Sequence, residues 1–207
     1  MKIHSAEFQI SVASPDAEIP SDLPHVAFSG RSNVGKSSLI NTLLRRTRKK
    51  IAHVSGRPGK TQMLNFFRVN DRFYLVDLPG FGFARVPTDV RQRWHHLIES
   101  YLRGELAPCG VVHLLDVRRG ATDLDLQMLD HLAELQLPTL VVVTKIDKLK
   151  RAKTASSLKG IMDQTGLDEE QLVPFSSVTG EGRELLLEAL EGLLGEPSER
   201  GEAGEGQ

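Results

Sequence analysis

The segment GRSNVGKS, residues 30–37, carries the most specific chemistry in the chain because it matches the pattern G-x-x-x-x-G-K-[ST] in full. Glycines at both ends let the backbone curve so that successive N–H groups point inward at phosphate oxygens. Lys36 is placed to neutralise the β- and γ-phosphates, and the Ser37 hydroxyl is a hard oxygen ligand for Mg²⁺. The segment therefore predicts a nucleotide-phosphate site at the start of a helix.

A second glycine-bearing loop, DLPGFGFARVP, begins at Asp77 at the end of an apolar run. The Asp77 carboxylate can hold Mg²⁺ through water, and the N–H of Gly80 can meet a γ-phosphate. An isolated Asp-x-x-Gly is a common turn and indicates nothing by itself. One hairpin after a phosphate loop, it predicts a second contact to the same phosphates.

The third segment is TKID, residues 144–147, at the end of the apolar run TLVVVT. The Asp147 carboxylate can accept hydrogen bonds from N1–H and the exocyclic amine of guanine, whereas adenine presents a lone pair there. The stem of Lys145 can cover the ring face, and the N–H groups of Ser176 and Ser177 can reach the guanine O6. A Lys-x-Asp is usually a solvated surface pair, but its place at a strand end favours a guanine site.

Alternating apolar runs predict the elements that position these segments. Strands are predicted at 25–30, 63–69, 72–78, 110–116, 139–145 and 172–177, and helices after residue 35 and at 88–102, 124–135, 150–165 and 184–194. Near-continuous apolar strands are typical of sheets covered on both faces. The order predicts an α/β fold with a doubly wound, mostly parallel sheet, one antiparallel edge strand from the hairpin, and helices on both faces.

Composition indicates a soluble protein, because 40% of the 207 residues are hydrophobic and 26% are charged, with a net charge of −1. We predict one domain over residues 1–194 and a disordered acidic, Gly/Glu-rich tail over 195–207. The single cysteine, Cys109, excludes an internal disulfide and fits a reducing compartment. A cytoplasmic protein without membrane or DNA partners is expected, with His113 as a hydrogen-bonded core residue.

In this order, GRSNVGKS, GKTQ, DLPG, TKID and FSS look like the five motifs of a translation-factor-type GTPase with a Ras-like fold. GRSNVGKSSLIN, PGKTQ, DLPGFGFA and LLDVRRG resemble the EngB (YihA/YsxC) family of ribosome-biogenesis GTPases, within the TrmE-Era-EngA-EngB-septin-like group. The resemblance covers residues 5–194. It implies Mg²⁺-dependent hydrolysis of GTP, switches at 51–62 and 80–90, the large ribosomal subunit as partner, and a need for the protein in growth and cell division.

The motifs and the resemblance together define the expected site. Catalysis is assigned to Lys36, Thr61 and Gly80, and Mg²⁺ to Ser37, Asp77 and, by resemblance, Thr61. The expected nucleotide-binding residues are Gly30, Arg31, Ser32, Asn33, Val34, Gly35, Lys36, Ser37, Ser38, Gly59, Lys60, Thr61, Asp77, Gly80, Thr144, Lys145, Asp147, Ser176 and Ser177.

Phe81, Phe83 and Thr144 depart from related GTPases, and Asn33 is open to two roles. Phe81 stands where Ras-type enzymes carry the glutamine that orients water, so slow intrinsic hydrolysis is expected, with a partner or bound cation supplying the missing element. Asn33 either ligates K⁺ beside the phosphates or only satisfies the loop backbone. Thr144 replaces a common asparagine, which leaves one hydrogen bond behind the phosphate loop open. Phenylalanine at 81 and 83 replaces tyrosines and loses their hydroxyl hydrogen bonds.

The basic 45–60 region adjoins the first predicted switch, and the resemblance implies that it contacts rRNA of the large subunit or its precursor, which charge alone does not establish. The alternative is a solvated helix C-terminus, where cations are favoured by the helix dipole. Its cations are Arg45, Arg46, Arg48, Lys49, Lys50, Arg57 and Lys60, which Arg85, Arg91 and Arg93 could extend. Two other functions stay open: a P-loop small-molecule kinase, which has no use for TKID and FSS, and a non-hydrolysing nucleotide-binding scaffold.

Overall fold

The structure is a computed structural model, and it describes residues 1–45, 51–52, 63–82 and 88–195. These residues form β1 (Ala6–Val12), β2 (His25–Gly30), α1 (Lys36–Leu43), β3 (Leu64–Val69), β4 (Phe73–Asp77), α2 (Thr88–Arg103), β5 (Gly110–Asp116), α3 (Asp123–Glu134), β6 (Thr139–Thr144), α4 (Arg151–Thr165), β7 (Leu172–Phe175) and α5 (Arg183–Leu194). The predicted strands and helices are confirmed to within a few residues at their ends. Most of the predicted tail, from residue 196 onward, lies outside the described residues.

The strands form one seven-stranded sheet in the order β1-β3-β4-β2-β5-β6-β7. Neighbours from β4 to β7 pair in parallel, whereas β3 pairs antiparallel with both β4 and β1. The doubly wound, mostly parallel fold with an antiparallel edge is confirmed. The structure adds β1 outside the hairpin, a strand that was not among the predicted ones. Its middle residues are exposed, and a bulge between Phe8 and Ile10 interrupts its pairing.

The hairpin between β3 and β4 turns at Asn70 and Asp71, whose φ angles of 53° and 51° lie in the left-handed region. Asparagine and aspartate tolerate this region, which explains why they stand at the tip. The Asn70 side chain also holds the N-terminal segment, because its Oδ1 accepts from the N–H groups of His4 and Ser5 at 2.7 and 3.1 Å. This bond set fixes the entry into β1.

Helices on both faces bury the central strands. β2, β4 and β5 are buried along their whole lengths. One core lies between the sheet and helices α1 and α5, and its fully buried members include Phe28, Leu39 and Leu186. The other face packs α2, α3 and α4. No helix in the described part of the chain is long and apolar enough to span a bilayer.

Candidate functional site

The phosphate loop predicted at residues 30–37 connects β2 to the first turn of α1. Gly30, Asn33 and Gly35 have φ angles of 153°, 64° and 111°, so the loop needs the left-handed region at two glycines and an asparagine. A Cβ on Gly30 would stand 3.0 Å from Cγ1 of Val34 and 3.1 Å from the Leu114 carbonyl oxygen. Only glycine therefore fits the first position without displacing the loop.

Lys36 and Asp77, which the sequence assigned to phosphate and Mg²⁺, form a buried ion pair with each other. Lys36 also donates to the Leu78 carbonyl oxygen at 2.6 Å. Their exposed fractions are only 8% and 3%, so each charge depends on the other for its stabilisation. The Lys36 ammonium and the Asp77 carboxylate thus contact each other at the place where a phosphate and a metal ion are expected to bind. The oxygens of Ser37 and Asp77 are the donor type that Mg²⁺ prefers.

The second glycine loop lies directly on the phosphate loop. The Ser32 N–H donates to the Phe81 carbonyl oxygen at 3.0 Å, and Arg31 and Phe81 form a parallel bridge. A Cβ on Gly80 would lie 3.2 Å from both Cα and N of Ser32. This close approach explains the glycine at position 80 and brings the two predicted phosphate contacts together.

Thr144 supplies the hydrogen bond that its replacement of asparagine left open. Its hydroxyl lies 2.7 Å from the Val34 carbonyl oxygen in the phosphate loop and 3.0 Å from that of Leu115 at the end of β5. The residue is 2% exposed, so these contacts are made out of water. A threonine therefore links β6 to the phosphate loop.

Lys145 lies across the phosphate loop in the left-handed region, at φ 63°. Its Nζ donates to the Asn33 carbonyl oxygen at 2.5 Å and to Oδ2 of Asp116 at 2.9 Å. A Cβ on Gly35 would stand 3.6 Å from its Cε, so the lysine stem passes over the loop. This arrangement leaves the aliphatic part of the side chain as a wall beside the expected base.

Asp147 and Ser176 are joined through their side chains, whereas the Ser176 N–H that was expected to reach guanine O6 donates to the Glu181 carbonyl oxygen at 3.0 Å. The Ser176 hydroxyl donates to Oδ1 of Asp147 at 2.7 Å, and the Lys148 ammonium lies 3.2 Å from Oδ2. The bond from Ser176 is the largest cause that lowers the pKa of Asp147 below its usual value. The carboxylate is therefore oriented and ionised at neutral pH, as an acceptor for two N–H donors must be.

Sequence reasoning missed three polar residues that organise the site. Asp116 anchors Lys145: its burial opposes ionisation, but hydrogen bonds from Arg118 and Lys145 hold its pKa well below the usual range. The sequence pattern that could have identified Asp116 is a carboxylate at the end of an otherwise apolar strand. Asn41 bonds the backbone of residues 51–52 and the carbonyl oxygen of Ser37. Arg183 donates to the last carbonyl oxygens of α1. Neither of these two carries a local sequence signal.

Some of the other predicted residues lie within the described part of the chain, and others do not. Ser38 lies in the first turn of α1, and the carbonyl oxygen of Ser177 accepts from Thr42 at 3.3 Å. Gly59, Lys60 and Thr61 lie outside the described residues, as does most of the basic 45–60 region. Arg45 is described, and it is exposed with Glu184 at 3.9 Å.

Comparison with known proteins finds relatives that are all described as GTP-binding proteins or GTPases. A family model described as "50S ribosome-binding GTPase" matches residues 25–145, more than half of the chain. A probable GTP-binding protein EngB from Syntrophotalea carbinolica is 48% identical over 194 residues, covering 94% of this chain and 93% of the relative. One from Gemmatimonas aurantiaca is 47% identical over 201 residues, covering 97% and 98%.

Solved structures resemble the fold as well. A crystal structure of a probable GTP-binding protein engB superposes with a TM-score of 0.65 at 27% identity, covering 82% of this chain and 98% of the other. A variant of Era from Aquifex aeolicus, bound to GDP and AlF₄⁻, gives a TM-score of 0.67 at 25% identity, covering 85% and 58%.

Proposed function

The chain is a GTPase that belongs to the EngB family of GTP-binding proteins, and from that membership we propose that it is a nucleotide-controlled switch in assembly of the large ribosomal subunit. In this role it hydrolyses GTP slowly, works in the cytoplasm, and is needed for growth and cell division. The observation that carries the nucleotide site is that Lys36 pairs with Asp77 while Gly80 lies against Ser32, because this unites the two loops expected to face the phosphates. The ribosomal role rests on the family description.

In the proposed site Lys36 and the amides of residues 30–38 hold the phosphates, except those of Ser32 and Val34, which donate to Phe81 and Arg31. Gly59, Lys60 and Thr61 complete the first switch. Lys36 turns from Asp77 to the phosphates when nucleotide enters, and Asp77 is then free to help hold Mg²⁺ with Ser37 and Thr61. When bound, the ion would supply charge neutralisation at the phosphates. Because one ion pair is exchanged for two new contacts, nucleotide and metal binding are coupled.

Hydrolysis is in-line attack of water on the γ-phosphate, a step that depends on position and charge more than on covalent help. Lys36, the loop amides and Gly80 stabilise the developing negative charge. Phe81 cannot hydrogen-bond the water, so the intrinsic rate is slow until a partner or cation completes the site. Asn33 is the residue beside which K⁺ would bind. Its left-handed backbone and its carbonyl bond to Lys145 support the simpler role of holding the loop.

Guanine specificity is assigned to Asp147, supported by Lys145, Ser176 and Ser177. Competition between GDP and ADP for the wild-type protein tests this directly, and a kinase-like adenine site would bind ADP as well as GDP. Asp147→Asn removes the acceptor pair and should weaken GDP binding by about a hundredfold. A variant that binds GDP normally would overturn the assignment.

The partner is assigned from the description of the matching family and from the basic 45–60 region. Sedimentation of the purified protein with large ribosomal subunits, in GDP and in a non-hydrolysable GTP analogue, tests it. The switch predicts co-sedimentation that is stronger with the GTP analogue and weaker at higher salt. Equally weak association in both nucleotides would refute the switch and leave the GTPase assignment intact.

A further inference from the structure

The imidazole of His113 lies in the middle of β5, where its neighbours along the strand are valines and leucines. It is 0% exposed, and neither of its ring nitrogens makes a hydrogen bond within the described residues. The expectation of a hydrogen-bonded core histidine is met only by a long contact, because Oδ1 of Asp125 lies 3.5 Å from Nε2. Nδ1 has no partner within the described residues. Burial of a half-satisfied polar ring costs stability that an aliphatic residue would not, so the ring calls for a further explanation.

Phe81 provides that explanation because its ring stacks on His113, with centroids 5.9 Å apart and planes 18° from parallel. A flat, offset pair of this kind needs a planar partner, which valine or leucine cannot supply. The main chain of Phe81 is tied to Ser32 of the phosphate loop at 3.0 Å. With its backbone held there, the side chain is the part of Phe81 that is left to move.

The support beneath Phe81 is itself rigid. Oδ2 of Asp125 accepts from the Thr122 N–H at 3.0 Å and from the Thr122 hydroxyl at 2.6 Å, which fixes the carboxylate at the start of α3. His113 is enclosed by the sheet and by this carboxylate. The Phe81 ring also borders a cleft of about 520 Å³ lined by Trp94 and Met128, so the ring has room to leave its stacked position.

We propose that His113 is a positioning residue for GTP hydrolysis, because its ring holds Phe81 away from the space where water attacks the γ-phosphate. This inference rests on the proposed contact between Gly80 and that phosphate. Phe81 affects the reaction only through where its ring lies, since it offers no polar group. Stacked on His113, it leaves the approach of water open; released, it competes with water for the same space.

The test uses the full-length protein with three variants and GTP hydrolysis measured at saturating Mg²⁺ and GTP. His113→Leu keeps the volume but loses the flat face, and should lower kcat about fivefold while KM changes less than twofold. His113→Phe keeps a planar ring and should retain kcat within about twofold. In a Phe81→Leu background, His113→Leu should have no further effect, because the stacked pair is already absent.

Equal losses of kcat in His113→Leu and His113→Phe would overturn the proposal, as would effects of His113→Leu and Phe81→Leu that multiply independently. If both His113 variants prove unstable in thermal melts, Phe81→Leu decides: because no ring is left to compete with water, the proposal predicts kcat within about twofold of wild type, and a fall in kcat at unchanged KM refutes it. GDP affinity is measured in parallel. A wild-type protein that failed to bind GDP would contradict the proposed function, whereas normal GDP binding with unaltered kcat in His113→Leu contradicts only the role of His113.

Discussion

The hydrogen bond from Ser176 to Asp147 makes the most direct test of the base site, because one oxygen atom can be removed without changing any charge. Ser176 is fully buried, and its hydroxyl donates to Asp147 at 2.7 Å. The same oxygen accepts from the N–H groups of Val178 and Thr179 at 3.2 Å each. Ser176→Ala therefore releases the carboxylate and loosens the loop that follows β7.

The expected loss of GDP affinity is about tenfold. A hydrogen bond to a charged group is worth about 1.5–3 kcal/mol, and the lower end applies because Lys148 still lies 3.2 Å from Asp147. That ammonium is 53% exposed, so it restores the orientation only in part. A loss of about 1.4 kcal/mol corresponds to a tenfold change in the dissociation constant.

The pH dependence of GDP affinity provides a second, independent test of the hydrogen bond between Ser176 and Asp147. Binding requires the ionised carboxylate, so GDP affinity falls as pH drops through the pKa of Asp147. Because Ser176 is the largest cause that lowers this pKa, its removal raises the pKa, and the acid-side loss of affinity begins at higher pH.

Titration of a fluorescent GDP analogue from acid to neutral pH measures both effects. Thr179→Ala is the matched control, since it removes a hydroxyl from the same loop whose bond to the Glu181 N–H, at 3.3 Å, is exposed. Binding by Ser176→Ala within twofold of wild type, with an unmoved acid limb, would refute the role given to this bond. An equal loss in Thr179→Ala would assign the effect to the loop instead.

Three further substitutions test the phosphate side of the site. Thr144→Val removes the hydroxyl shared by two carbonyl oxygens and should lower the free energy of unfolding by about 1–2 kcal/mol in urea titrations, with Thr144→Ser close to wild type. Lys36→Met leaves the Asp77 carboxylate buried and unpaired, so nucleotide-free protein should lose about 3 kcal/mol of stability, seen as a lower melting temperature, and unchanged melting would contradict the buried pair. Gly80→Ala places a Cβ 3.2 Å from the Ser32 backbone and should weaken binding of a GTP analogue more than that of GDP, by about tenfold; equal losses for both would argue against a γ-phosphate contact there.

The sequence predicted the sheet well because each central strand is a separate apolar run bounded by turn residues, and the parallel order follows from strands alternating with helices. It missed β1, although Ala6, Phe8, Ile10 and Val12 alternate with polar residues as in a strand with one apolar face. Because Thr144 replaces a common asparagine, the sequence left open whether residue 144 makes a hydrogen bond behind the phosphate loop. The structure shows that it does, because the threonine hydroxyl donates from the end of β6 to the phosphate loop.

The sequence by itself determined which groups are expected to hold phosphate and select the base, because spacings such as Gly30 to Ser37 encode one local backbone path and one set of N–H directions. Only the tertiary structure decided which of these groups touch each other. Lys36 meets Asp77 across 41 positions, and Phe81 lies on His113 from a neighbouring loop. Such contacts depend on which strands are adjacent in the sheet and on how deeply each side chain is buried. Neither can be predicted from the spacing of residues within a motif.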